Sequence, residues 1–273
     1  MKNIIVPTDF SEASKNAAKY AVSLAKAFDA TVHLINVVIP PVTIDDTILP
    51  TVMKLQADIL DGNWKSMDKE VSELSKENPR VTGFVEEGGT MEVISKWIHE
   101  KNADLVVMGM KGKGNSNSIF GSTTTTLLQK FSFPIFIIPS KAVYKHIGQI
   151  TFASDFNTSV EIEKYTMMFE IAAQFNSKIS ILNVQHSEYS MNQEQVIGKM
   201  QTNLAFSKQE RQFHTIIESN VEEGINKFIL LHPTDILVMV AHKQSFIQRM
   251  FGKSFTKSMS YQTEIPLLVL QNK

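Results

Sequence analysis

The chain of 273 residues repeats itself, and that narrows its possible folds more than any other feature. Asn3-Ile-Ile-Val-Pro-Thr-Asp9-Phe10-Ser11 returns as Gln149-Ile-Thr-Phe-Ala-Ser-Asp155-Phe156-Asn157, and Leu34-Ile-Asn36-Val37 as Ile181-Leu-Asn183-Val184. Ala103-Asp104-Leu-Val-Val-Met108 returns as Thr234-Asp235-Ile-Leu-Val-Met239, and Phe133-Pro134-Ile135 as Ile265-Pro266-Leu267. Four blocks recurring in one order mark two copies of one unit, the second shortened after its second block. The seam falls near residues 140–146, which predicts domains at 1–142 and 143–273.

Within each copy, apolar runs alternate with helical patterns. In the first, Asn3–Val6, Thr31–Val38, Arg80–Val85, Asp104–Met108 and Pro134–Ile138 read as strands. Glu12–Phe28 carries Ala17, Ala21, Leu24, Ala25 and Phe28 at helical spacing, and Thr90–Lys101 carries Val93, Ile94, Trp97 and Ile98. Val52–Lys76 reads as a long, polar-faced helix. The second copy places strands near 149–153, 179–184, 212–217, 235–240 and 266–270, and an amphipathic segment at Gln193–Gln212. Nearly unbroken apolar strands alternating with helices belong to a parallel sheet covered on both faces, an α/β fold.

Composition removes several classes. A net charge of −1 offers no basic surface for nucleic acid, and no run of eighteen apolar residues spans a membrane. Without cysteine there are no disulfides and no thiolate chemistry, and the N-terminus lacks a signal-type apolar region, so a cytoplasmic protein is expected. The seven histidines form no HExxH pair, and no Gly-x-Ser-x-Gly elbow is present, so neither a metal site nor a hydrolase triad is expected.

One stretch does suggest chemistry. After the run ending at Met108 come Gly109, Gly112, Gly114 and Gly121, then the hydroxyl-rich Ser122–Thr126 and a further apolar run. Glycines let a ligand approach the backbone, and the free N–H groups of a helix start face negative charge, so strand, glycine loop and helix start together suit an anion. The same residues also suit plain turns and a serine N-cap. Gly112-Lys113-Gly114 is not a dinucleotide fingerprint, because Asn117 stands at its third glycine position. Gly252-Lys253-Ser254 is not a P-loop, because Ile247 stands at its first.

Taken together, Ile5-Val-Pro7-Thr8-Asp9, Val37, Met108-Gly109-x-x-Gly112 and Gly121-Ser122 make the chain resemble the universal stress protein family in its tandem two-domain form. Eight residues separate Gly112 from Gly121, one fewer than the family spacing. The resemblance implies two tandem open parallel five-stranded sheets, each in the order 3-2-1-4-5, with helices on both faces, in the adenine nucleotide alpha hydrolase-like fold. It implies ATP, with or without Mg2+, in the crevice where strands 1 and 4 part, the place where open α/β sheets bind ligands. Pro7, Thr8 and Asp9 would hold the adenine and ribose end, Val37 would line the base, and Met108 and Gly109 would meet the ribose. Gly112, Gly121, Ser122 and Thr123 would cradle the phosphates, with Lys111 or Lys113 adding charge. Asp9 also suits a helix N-cap.

Counting from the Asp104/Asp235 pair, the second copy has Val240 at the place of Gly109 and Lys243 at that of Gly112, while Gly252 stands for Gly121, followed by Lys253. Side chains at the lost glycines predict that the second copy does not bind ATP in this mode and serves a structural or dimer-forming role. The resemblance further implies an intramolecular pseudo-dimer joined through the last strands, with a homodimer beyond it possible. Two main functions follow, an ATP-binding stress-response regulator with at most slow hydrolysis or a nucleotide-free scaffold of the same fold, with a phosphoryl- or adenylyl-transfer enzyme as the less favoured third.

Overall fold

The computed structural model describes residues 1–40, 49–110, 124, 126–128, 133–157, 161–187, 191–241 and 264–271. Gly112, Gly121, Ser122 and Thr123, with Lys111 and Lys113, lie outside the described residues, as do Lys243, Ile247, Gly252 and Lys253.

The first half runs β1 (Asn3–Pro7), α1 (Glu12–Phe28), β2 (Thr31–Val38), α2 (Leu49–Leu74), β3 (Val81–Glu87), α3 (Thr90–Glu100), β4 (Leu105–Met110) and β5 (Ile135–Pro139). The second runs β6 (Gln149–Ala153), a 3-10 turn (Ile162–Tyr165), α4 (Thr166–Phe175), β7 (Lys178–Gln185), α5 (Gln193–Ala205), β8 (Arg211–Ile217), α6 (Val221–Leu231), β9 (Ile236–Ala241) and β10 (Leu267–Gln271). The amphipathic segment expected to reach Gln212 is helical only to Ala205, and β8 begins at Arg211.

Each half has the expected strand order, but the two sheets are not separate. They join edge to edge into ten strands, β3-β2-β1-β4-β5-β10-β9-β6-β7-β8. Pairing is parallel within each half and antiparallel at the seam, where Phe136 faces Leu268. This seam gives each last strand a partner and so removes an open edge. Matching positions of the repeat meet elsewhere too. The rings of Phe28 and Phe175 cross edge to face at 6.0 Å, and Gln174 Nε2 donates to the Ala27 carbonyl at 2.7 Å.

Alternation along the strands divides the core between the two faces of the sheet. Ile4 and Val6 pack with α1 on one face, while Ile5 packs with Val93, Ile94 and Trp97 of α3 on the other. Both cores run through both halves: the first joins Phe136 and Leu268, the second Ile137 and Leu267. No helix among the described residues is long and apolar enough to cross a membrane.

Near the outer edge, His33 is buried between Thr82 Oγ1 (2.8 Å) and Asn3 Oδ1 (3.1 Å). Burial, aided by the charge of Lys101, pushes its pKa from 6.5 down to about 4. The folded chain resists a proton that the unfolded chain accepts, so this contribution to stability is complete above about pH 6.5 and lost as pH falls toward 4. Urea unfolding across this range should show the loss, and His33→Gln should flatten it; an unchanged slope in the variant would refute the assignment. At the seam, Phe136→Ala should cost about 3–5 kcal/mol and should leave the unfolding of both halves a single transition, because the cores are shared. Separate transitions by circular dichroism and fluorescence would contradict this.

Candidate functional site

At the carboxyl end of β1 the chain makes a tight loop before α1. Thr8, 5% exposed, accepts a hydrogen bond from the Phe10 N–H on Oγ1 (3.1 Å) and donates to Ser14 Oγ (3.2 Å). Its N–H donates to the Ile35 carbonyl at 2.9 Å, and its carbonyl accepts from Asn36 Nδ2 at 2.8 Å. These bonds hold Phe10 at a positive φ of 61°, which a side chain other than glycine's adopts only under such constraint. Asp9 is exposed and accepts from the Ser11 N–H (3.1 Å), closing an Asx turn. It is not the N-cap of α1: that role belongs to Ser11, whose side chain accepts from the Ser14 N–H.

β4 extends past the expected end at Met108, through Gly109 to Met110, pairing with Ile138 and Pro139. The reason for Gly109 also differs from the expected one. A Cβ there would fall 2.5 Å from the Ala13 carbonyl carbon and 2.9 Å from the Ser14 nitrogen. The space a side chain would fill is taken by the first turn of α1 rather than left for a ligand.

Around this junction lies a cavity of about 260 Å³. Pro7, Thr8 and Asp9 from the end of β1, Val37 from β2, and Met108 and Gly109 from β4 all border it, so the structure brings together six of the ten residues expected at the site. The other four, Gly112, Gly121, Ser122 and Thr123, are outside the described residues. The first turn of α1 and Thr90 at the start of α3 also reach the wall, and two helix N-termini there favour a negatively charged or acceptor-rich guest.

Asn36 and Thr124 are wall residues that sequence reasoning did not select. Thr124 is helical and 3% exposed. Asn36 is 5% exposed, and its Oδ1 is buried with no hydrogen-bond partner among the described residues. A buried acceptor left without a partner costs about 1–3 kcal/mol, which a donor brought by a ligand would recover. The second copy holds the signal that could have found it. There Asn183 Oδ1 accepts from Gln185 Nε2 at 2.8 Å, whereas the position matching Gln185 in the first copy is Val38, whose side chain has no donor. Among the described residues no group of three or more His, Cys, Asp or Glu side chains is placed to hold a metal.

An open α/β sheet with a cavity at its switch point defines a class of small-molecule-binding proteins. Comparison narrows it. Residues 1–139 match the model of the universal stress protein family, and the chain belongs to that family. It is 30% identical over 141 residues to universal stress protein MJ0531 of Methanocaldococcus jannaschii, an alignment covering 50% of this chain and 81% of that one. The crystal structure of a universal stress protein from Archaeoglobus fulgidus superposes with a TM-score of 0.70 at 15% identity, covering 99% of this chain and 98% of that one. A putative universal stress protein from Pseudomonas aeruginosa gives 0.57 at 12% identity, covering 99% and 93%. At such identities the structural matches speak for the fold.

Gly109→Ala should destabilise the chain by about 1–3 kcal/mol, because the α1 backbone has to give way. Equilibrium urea unfolding measures this, and a neutral substitution would mean that α1 is not docked on β4 as described.

Proposed function

We propose that the first half, residues 1–142, is an ATP-binding regulatory domain of the universal stress type. The second half, 143–273, completes an intramolecular pseudo-dimer and does not take ATP in the same mode. The observation that carries this reading is the cavity at the β1/β4 switch point, walled by the Thr8–Asp9 loop, Val37, Met108 and the unpartnered Asn36 acceptor. About 260 Å³ suits the base and sugar of a nucleotide, with a donor such as an exocyclic amine facing Asn36. Gly112, Gly121, Ser122 and Thr123 are the residues we assign to the phosphates, by family resemblance. The contacts between matching positions, Phe28 with Phe175 and β5 with β10, support the pseudo-two-fold arrangement.

Calorimetry with ATP and magnesium tests the reading on the full chain. Binding is expected, and Val38→Gln should weaken it by about 2- to 10-fold, because the new amide satisfies Asn36 Oδ1 as Gln185 satisfies Asn183. No binding heat at millimolar ATP would leave the scaffold function in its place.

A further inference from the structure

The second half holds a cavity of about 570 Å³ at the corresponding place, where β6, β7 and β9 end beside the start of α6. One end of it duplicates the first site closely. Ser154 Oγ accepts from the Phe156 N–H (3.2 Å), the Ser154 N–H donates to the Leu182 carbonyl (2.9 Å), and Asn183 Nδ2 donates to the Ser154 carbonyl (2.8 Å). Asp155 accepts from the Asn157 N–H (3.1 Å), and Phe156 has the same positive φ, 57°.

The other end differs in two respects. Val240 stands for Gly109, and a side chain there excludes a helix docked as α1 is. In keeping with this, the regular helix after the loop begins only at Thr166, preceded by the 3-10 turn, and Tyr165 joins the wall. Next, the N-terminus of α6 supplies its own anion. In α3 the first-turn acid, Glu92, is exposed and off the cavity wall, whereas Glu222 of α6 is 6% exposed and on it. A carboxylate already at the helix start opposes a second anion there. Asp155 lines this cavity as Asp9 lines the first, neither wall carries a lysine or arginine among the described residues, and His186 also borders this one. The remaining wall is largely apolar, with Phe152, Leu182, Val184, Ile225 and Met239.

We infer that this cavity is a second ligand site, selective for an uncharged or cationic flat molecule of nucleoside size that carries hydrogen-bond donors and no phosphate. Its volume lies within the range of small-molecule pockets, and its acceptor-rich end and apolar wall match such a ligand. The choice of a nucleoside as probe rests on the nucleotide reading of the first half, because the loop is duplicated; the exclusion of phosphate rests on the Glu222 carboxylate at the start of α6.

Adenosine and ATP are titrated calorimetrically into the full chain and into Val37→Trp and Val184→Trp, matching half-buried valines that each line one cavity. Adenosine binding should persist in Val37→Trp and be lost in Val184→Trp, while ATP binding should show the reverse. Thermal melting confirms that each variant is folded. Asp155→Asn, a milder change, should weaken adenosine at least about tenfold and leave ATP unchanged. Failure of adenosine to bind Val37→Trp, or an adenosine affinity unchanged by both second-half substitutions, overturns the proposal. Absence of ATP binding to the unmodified chain, with Val184-dependent adenosine binding intact, overturns only the reading of the first half.

Discussion

The close approach of α1 to the end of β4 is the contact on which the first site depends. It requires bare backbone at Gly109, because the Ala13 carbonyl and the Ser14 nitrogen occupy the space of a side chain. With the helix start so placed, Ser14 Oγ reaches Thr8 Oγ1, and the Thr8–Phe10 turn is held from both sides. The cavity is the space left among the ends of three strands once that helix is docked, and its modest volume follows from the docking.

The second half varies this arrangement within one chain. It keeps four of the loop hydrogen bonds but has a valine where the docking glycine would be. A later helix start and a cavity about twice as large accompany the change. The copies also differ in one small polar detail: Gln185 satisfies the Asn183 oxygen, whereas the matching oxygen of Asn36 is left without a partner. The shared sheet and the two continuous cores hold the halves together, so each site is built on a common base.

Much of this was legible in the sequence. Strands such as Thr31–Val38, apolar nearly throughout, can only be buried on both faces, and the repeat supplied the order and number of elements. Pro7, Thr8, Asp9, Val37, Met108 and Gly109 were picked out by the resemblance to the universal stress protein family, and all six border one cavity. The role of Gly109 was not legible, since a glycine needed by a neighbouring helix looks the same as one needed by a ligand. The end of β4 was placed too early for the same reason: glycine reads as a break even where it pairs with Ile138. Asn36 escaped notice because its significance depends on what residue 38 lacks, and Asp9 was open to a capping role that Ser11 fills.

A crystal structure of the full chain grown with ATP and magnesium measures the central claim most directly. The account predicts the purine and ribose beside Val37 and Met108, where β1 and β4 part, with a ligand donor within hydrogen-bond distance of Asn36 Oδ1. A nucleotide bound elsewhere, or a crevice left empty at saturating ATP with the Asn36 oxygen still without a partner, would contradict it.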